Sequence, residues 1–283
     1  MTQPIRLGIS TCPNDTFAFH GLLSRSVDWR GLDFQIELLD IQQLNDRLFS
    51  QSFDVAKASF HAALHLTDPM VVLPSGSALG FGNGPLLLAS RPDLKPLSAS
   101  SGGADQIVLC PGKYTTAAML YQLFYPGTAE MRHVVFSDIM PLLQRGHADF
   151  GVCIHEGRFT WQNEGLGLVE DLGKRWETET LQPLPLGGLL GRKDLGSEVL
   201  RNVQTVIHAS LQYALANPDQ ALPTMRQYAQ EFDDDVLRQH VELYVNDWTI
   251  ELGEIGASAL RELSNRARQI GLVPREAPDL SIL

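Results

Sequence analysis

Asp149-Phe150-Gly151-Val152-Cys153-Ile154-His155-Glu156-Gly157-Arg158-Phe159-Thr160-Trp161 is the stretch on which the fold reading turns. Asp149 to Ile154 reads as a short buried strand that ends abruptly on a histidine, with Glu156, Gly157 and Arg158 behind it. In open α/β sheets ligands bind beyond the carboxyl ends of the strands. Histidine titrates closer to neutrality than any other side chain, so a histidine at a strand end is a natural general base. A histidine that only caps a turn fits the same position.

Working outward from there, the chain alternates strands and helices. Ile5 to Ser10 reads as a strand, and Pro13 with Asn14, Asp15 and Thr16 supplies the start of a helix. Phe34 to Leu39 alternates as a strand, Ile41 to Phe49 has helical spacing, and Asp54 to Ala58 is a strand with Ser59 placed to cap Phe60 to Leu66. Met70 to Pro74 and Pro85 to Ser90 are further strands on either side of the glycine-rich Gly76 to Gly84. A Pro/Ser-rich connection, Arg91 to Ser101, leads to a second series. There Gln106 to Cys110, His133 to Phe136 and Phe150 to Ile154 are strands, with helices over 117–124 and 138–145 and Ser137 as a cap. Leu184 to Gly191 returns the chain to the first series. Helices over 198–214, 218–228, 233–245 and 254–270 follow. In the first of these Val199, Leu200, Val203, Val206, Ile207, Leu211 and Ala214 form one apolar stripe suited to core packing.

The order predicts an α/β class with largely parallel sheets and helices on both faces. One βαβ domain (93–186) is inserted into a larger one (1–92 with 187–283). That is the plan of the bilobed periplasmic-binding-protein folds, in which a ligand lies in the cleft between two domains.

Composition narrows the function. With 44% hydrophobic and 19% charged residues the chain is an ordinary globular one, and its formal charge of −11 carries no basic cluster. Nucleic acid and anionic membranes are therefore poor partners, and a small-molecule ligand is expected. No apolar run is long enough for a membrane helix, and the start of the chain shows no secretory signal. Cys12, Cys110 and Cys153 form no C-x-x-C pair, which favours a reducing cytoplasm over disulfide or zinc frameworks.

The predicted strand-to-helix turns carry Asn14, Asp15 and Thr16, then Ser59, then Thr115 and Thr116, then Ser137. Helix starts offer free N–H groups and a positive dipole end that suit a carboxylate, although these residue types are also simply good caps. Lys57 stands in a buried strand and needs an anionic partner, from a ligand or from the protein. Arg158 suits a two-point clamp on a carboxylate, or a surface salt bridge. His61 and His65, four apart, have no third metal ligand in view. Gly80 to Pro85 matches neither a dinucleotide nor a P-loop fingerprint and reads as a turn, and no metal is expected.

Thr11-Cys12-Pro13-Asn14-Asp15-Thr16-Phe17 resembles the opening S-C-P-N-D-T-F of the 1,4-dihydroxy-6-naphthoate synthase family of the futalosine route to menaquinone. Lys57-Ala58-Ser59, Pro111-Gly112 with Thr115-Thr116-Ala117, and Ile154-His155-Glu156-Gly157-Arg158-Phe159-Thr160 resemble further stretches of it, in order, over residues 5 to about 270. The family opening has Ser where Thr11 stands, which keeps the hydroxyl. The resemblance implies a type II periplasmic-binding-protein fold used as an enzyme. It also implies a lyase acting on cyclic dehypoxanthinylfutalosine, a carboxylate, without a cofactor. By that resemblance the proton acceptor falls on His155, and substrate contacts fall on Lys57, Ala58, Ser59, Thr116 and Ala117. The alternatives are a chorismate dehydratase-like sister enzyme, which the Cys-Pro-Asn-Asp opening argues against, and a solute-binding protein without catalysis.

Overall fold

The computed structural model describes residues 3–95, 106–155, 157–229 and 233–283. The chain divides into two compact units, Met1–Gly80 with Pro185–Leu283, and Phe81–Leu184. The crossings thus fall at Gly80/Phe81 and Leu184/Pro185, whereas residues 92 and 187 were expected to bound the inserted domain. The physical reason is strand pairing. The strand expected to close the first domain, β6 (Leu86–Ala89), pairs antiparallel with β9 (Phe150–Cys153) and β10 (Gly167–Asp171) in the second unit. The Pro/Ser-rich connection expected at Arg91 to Ser101 lies outside the described residues from position 96 on.

In the first unit β1 (Ile5–Ser10) runs parallel to β2 (Phe34–Leu39) and to β3 (Val55–Ser59). The returning strand β11 (Leu184–Arg192) is antiparallel to β3, with Lys57 opposite Leu189, and to β4 (Met70–Val72). Its other neighbour is β5 (Ala78–Gly80). The sheet is therefore mixed where a largely parallel one was expected, because the chain re-enters it by a strand running the other way. The apolar stripe of the long helix Ser197–Ala216 buries Leu200, Val203, Val206, Ile207 and Leu211 against Leu7, Ile9, Leu73 and Leu189 of this sheet. Burial of each such side chain is worth about 1.5–3 kcal/mol.

In the second unit β7 (Ile107–Cys110) lies between two parallel neighbours, β8 (Glu130–His133) and β9, and the antiparallel β6 and β10 complete the sheet. The strand expected at His133 to Phe136 sits three residues earlier, and β10 with the helix after it had no counterpart in the sequence reading. Gly151 in β9 has a packing role. A Cβ there would lie 2.4 Å from Ile139 Cγ2, so glycine lets the helix Ile139–Gln144 close on the sheet. Among the described residues no helix is long and apolar enough to cross a membrane.

Asp54, just before β3, ties three strands together at the opposite edge from the strand-to-helix turns. Its carboxylate accepts from the Arg6 backbone at 2.9 Å, from Arg6 Nη2 at 2.7 Å and from Arg192 Nη1 at 3.3 Å. Burial works to raise its pKa, but the hydrogen bonds and charge of Arg6, with the charge of Arg192, outweigh it and hold the carboxyl below its ordinary value of 3.8. A depressed carboxylate stabilises the fold above its unfolded pKa and loses that contribution as the pH falls toward the folded one. Asp54→Asn should therefore lower the unfolding free energy by about 1.5–3 kcal/mol at neutral pH. In urea titrations over a pH series, the gap from wild type should narrow below about pH 4.

Candidate active site

Each unit gathers its expected site residues at the carboxyl ends of neighbouring parallel strands. In the first unit the helix α1 (Pro13–Ala18) follows β1 with Cys12 at its N-cap and Pro13 in its first turn. Asn14, Asp15 and Thr16 are therefore inside the helix and do not cap it, and the Asp15 and Thr16 amides are both taken by the Cys12 carbonyl. At the end of β3, Ser59 stands at the N-cap of the short helix that follows, but its side chain makes no capping hydrogen bond. Its amide donates to Asn45 Oδ1 at 3.0 Å and its hydroxyl accepts from Asn45 Nδ2 at 3.2 Å. Ala58 beside it is buried.

Lys57 has its anion within the protein. Its ammonium donates to Asp15 Oδ1 at 2.7 Å and to the Gly76 carbonyl at 2.8 Å, and both charged side chains are about 95% buried, at 5% and 4% exposure. Of the two partners open to Lys57, a ligand or the protein, the structure supplies a protein one, the Asp15 carboxylate. Asn14 continues the chain: its Nδ2 donates to Asp15 Oδ1 at 3.0 Å, which leaves its oxygen to accept from His240 Nε2, also at 3.0 Å. His240 comes from a helix 226 residues away, so no local signal in the sequence announces it.

In the second unit Pro111 and Gly112 turn the chain out of β7 into α5 (Thr116–Phe124). Thr115 is the N-cap, and the helix starts one residue before the expected Ala117. Its Oγ1 accepts from the Ala118 amide at 3.2 Å and donates to the Gly112 carbonyl at 2.9 Å. Thr116 and Ala117 form the buried first turn of the helix. On the adjacent strand, His155 follows β9 with φ +55°, in the left-handed region that costs a non-glycine residue about 1 kcal/mol or more. Its ring meets that of Phe136 in a T-shaped contact, with centroids 4.7 Å apart.

Of the two roles open to Arg158, a ligand clamp or a salt bridge, the structure shows a salt bridge within the protein. Its Nη1 donates to the Gly84 carbonyl at 2.7 Å and its Nη2 to Asp171 Oδ2 at 2.7 Å, while its amide donates to the His155 carbonyl at 3.2 Å. Asp171 is also the N-cap of α8 (Leu172–Thr180), through Lys174 N at 3.0 Å. Gly84 and Gly173 meet backbone to backbone, so that a Cβ on Gly84 would lie 2.3 Å from Gly173 Cα. One turn along, Glu177 accepts from the Gly82 amide at 2.7 Å, and burial raises its carboxyl pKa against that hydrogen bond. The glycine-rich Gly80 to Pro85 is thus a held loop and not a phosphate cradle. Asp171 was missed by the sequence reading, although an aspartate directly before a helical run is a cap signal that could have found it. Glu156 lies outside the described residues.

Other chemistry recedes. Burial pushes the Cys153 thiol up to about 12 and Cys110 higher still, so neither offers a thiolate near neutrality. His61 and His65 lean on one another with ring centroids 5.5 Å apart. Among the described residues no group of three or more His, Cys, Asp and Glu side chains is placed to hold a metal ion.

Removing one partner of a buried ion pair leaves the other charge uncompensated and costs about 3–5 kcal/mol. Lys57→Met should therefore lower the unfolding free energy, read from urea titration, by an amount of that order. Adding Asp15→Asn to it should recover much of the loss, since no buried carboxylate is then stranded. A Lys57→Met protein as stable as wild type would show that the pair contributes nothing.

Comparison with known proteins bears on the family and the fold. A family model described as menaquinone biosynthesis matches residues 5–269. The 1,4-dihydroxy-6-naphthoate synthase of Thermus thermophilus is 39% identical over 270 residues, covering 95% of this chain and 96% of that one. That of Streptomyces coelicolor is 37% identical over 281 residues, covering 97% and 96%. Among solved structures, a protein from Archaeoglobus fulgidus superposes with a TM-score of 0.88 at 30% identity, over 95% of this chain and 98% of that one. A Candida albicans protein described as having the generic periplasmic binding protein fold gives 0.65 at 12% identity, over 96% and 92%, and at that identity the likeness concerns the fold alone. With two α/β units of periplasmic-binding-protein type and a match along nearly its whole length, the chain belongs to the menaquinone biosynthesis family.

Proposed function

We propose that this chain is a lyase that converts cyclic dehypoxanthinylfutalosine to 1,4-dihydroxy-6-naphthoate, with His155 as the general base. One observation carries the reading. In a chain similar to two such synthases over nearly its full length, His155 follows β9, which pairs with β7, the strand that delivers the first turn of α5. A base and a helix N-terminus on adjacent parallel strands suit a substrate that carries both an acidic C–H bond and a carboxylate. In this reading His155 takes the activated proton, and the electrons of the broken C–H bond drive cleavage of the bond to the small ketose fragment and aromatisation of the ring system. Thr116 and Ala117 at the positive end of α5 attract the carboxylate, an effect worth about 0.3–1 kcal/mol at an exposed helix end and more when shielded. Thr115 holds that end in shape with its cap. The chemistry asks for a positioned base and no cofactor. The cytoplasm is the proposed compartment, supported by three buried cysteines, Cys12, Cys110 and Cys153, that form no disulfide with one another.

Turnover of cyclic dehypoxanthinylfutalosine, followed by appearance of the naphthoate, is the primary test. A binding protein on this fold would be thermally stabilised by the compound and leave it intact. His155→Asn keeps much of the side-chain shape and removes the basic nitrogen, so kcat should fall by about 10²–10⁴-fold. Affinity for the naphthoate product should be largely retained. A mutant with near-normal kcat and a raised KM would falsify the assignment of the base, because it would show binding common to ground state and transition state.

A further inference from the structure

The left-handed backbone at His155 has to be imposed by its surroundings, because a histidine does not choose it. On its N-terminal side β9 is held by β6 and β7. On its C-terminal side the hold comes from Arg158, whose amide returns to the His155 carbonyl and whose guanidinium is fastened to two acceptors from separate segments. Those acceptors do not drift. Asp171 is fixed as the cap of α8, and the Gly84 backbone is pressed against Gly173 and held one residue pair earlier by the Gly82 bond to Glu177. The pair is half-shielded, with side-chain exposures of 16% and 19%, where a charge-assisted hydrogen bond has real positional force.

We propose that Arg158, fixed by Asp171 and the Gly84 carbonyl, is a positioning residue that acts on the reaction through His155. It pins the turn from which the imidazole is aimed, and it does not bind the substrate carboxylate. Asp171 is its obligatory partner in that role. The proposal rests on His155 being the base, and it assigns a reason for the arginine three residues behind it: a single turn lets the side chain reach back to the loop and the helix cap that frame the strand end. A substrate clamp and a positioning residue differ in what they change. Loss of a clamp weakens binding of substrate and product alike. Loss of a positioning group misplaces the base by a fraction of an ångström to an ångström, which lowers kcat and leaves binding in place.

The test uses the full-length enzyme and four variants: His155→Asn, Arg158→Lys, Asp171→Asn, and His155→Asn combined with Arg158→Lys. Asparagine is as good an N-cap as aspartate, so Asp171→Asn keeps α8 capped and removes only the charge that Arg158 needs. Melting temperatures report folding for each. Arg158→Lys and Asp171→Asn should each lower kcat by about 10–100-fold, with KM and the Kd for 1,4-dihydroxy-6-naphthoate within about twofold of wild type. The double variant should be no slower than His155→Asn alone, because two changes acting through one group are not additive. A raised KM and product Kd with kcat intact in Arg158→Lys would make Arg158 a substrate clamp and overturn the proposal. So would normal kcat in Asp171→Asn, or losses that multiply in the double variant. Near-normal kcat in His155→Asn itself would instead remove the base, and the positioning role with it.

Discussion

Parallel pairing of neighbouring strands is the constraint from which the rest of this structure follows. Two parallel neighbours cannot be joined by a hairpin. The chain must cross back over the sheet, usually through a helix, before the second strand begins. β1 with β3 in one unit and β7 with β9 in the other therefore deliver their carboxyl ends, and the helix starts that follow, to one edge of each sheet. Asn14, Asp15 and Ser59 collect at one such edge, and Thr115, Thr116 and His155 at the other. The antiparallel strands β6, β10 and β11 contribute differently. β6 and β10 bring the Gly84 carbonyl and Asp171, the acceptors of Arg158, to the edge where His155 stands, and β11 returns the chain to the first sheet.

Electrostatics at these edges is settled mostly inside the protein. The sequence offers an ammonium in a buried strand and a guanidinium behind a strand-end histidine, both of which suit an anionic ligand. The fold gives each a carboxylate of its own: Asp15 for Lys57 and Asp171 for Arg158. Desolvating a lone charge costs several kcal/mol, whereas a paired and hydrogen-bonded charge is tolerated. With Gly76, Asn14 and His240 added, the Lys57 pair becomes a continuous hydrogen-bonded path from β3 through α1 to a C-terminal helix. It ties the early and late parts of a discontinuous unit to each other. In the second unit the positive end of α5 is capped by a neutral hydroxyl, that of Thr115.

His155 combines strain with support. Its left-handed backbone is costly for a side chain with a Cβ, and it is bracketed by paired strand on one side and by the Arg158 hydrogen bonds on the other. Phe136 supports the ring itself. Strain held in place by neighbouring contacts is the usual condition of a residue whose direction matters to a reaction. The chemistry proposed here asks for direction above all, since removal of an activated proton needs little more than a base at the right distance and angle.

The sequence by itself determined the elements with strong periodicity and clear punctuation. The long helix buries the stripe of Leu200, Val203, Val206, Ile207 and Leu211 as its 3.6-residue spacing requires, and β9 ends one residue short of the Ile154 expected. Motif spacing also sufficed for the family, because short segments that recur in order along a whole chain survive divergence elsewhere. Two things were decided only by tertiary structure. One was the membership of β6 in the second sheet, since an all-buried run such as Leu86 to Ala89 is apolar on both faces and carries no sign of its neighbour or direction. The other was the partners of charged and polar groups. Lys57 finds Asp15 42 residues away and Asn14 finds His240 226 residues away, distances over which sequence spacing says nothing about contact. Arg158 finds Asp171 only 13 residues on, but through a strand and a cap that local patterns leave faint. Periodicity is a local property of the chain, whereas the neutralisation of a buried charge is a property of whatever the fold brings beside it.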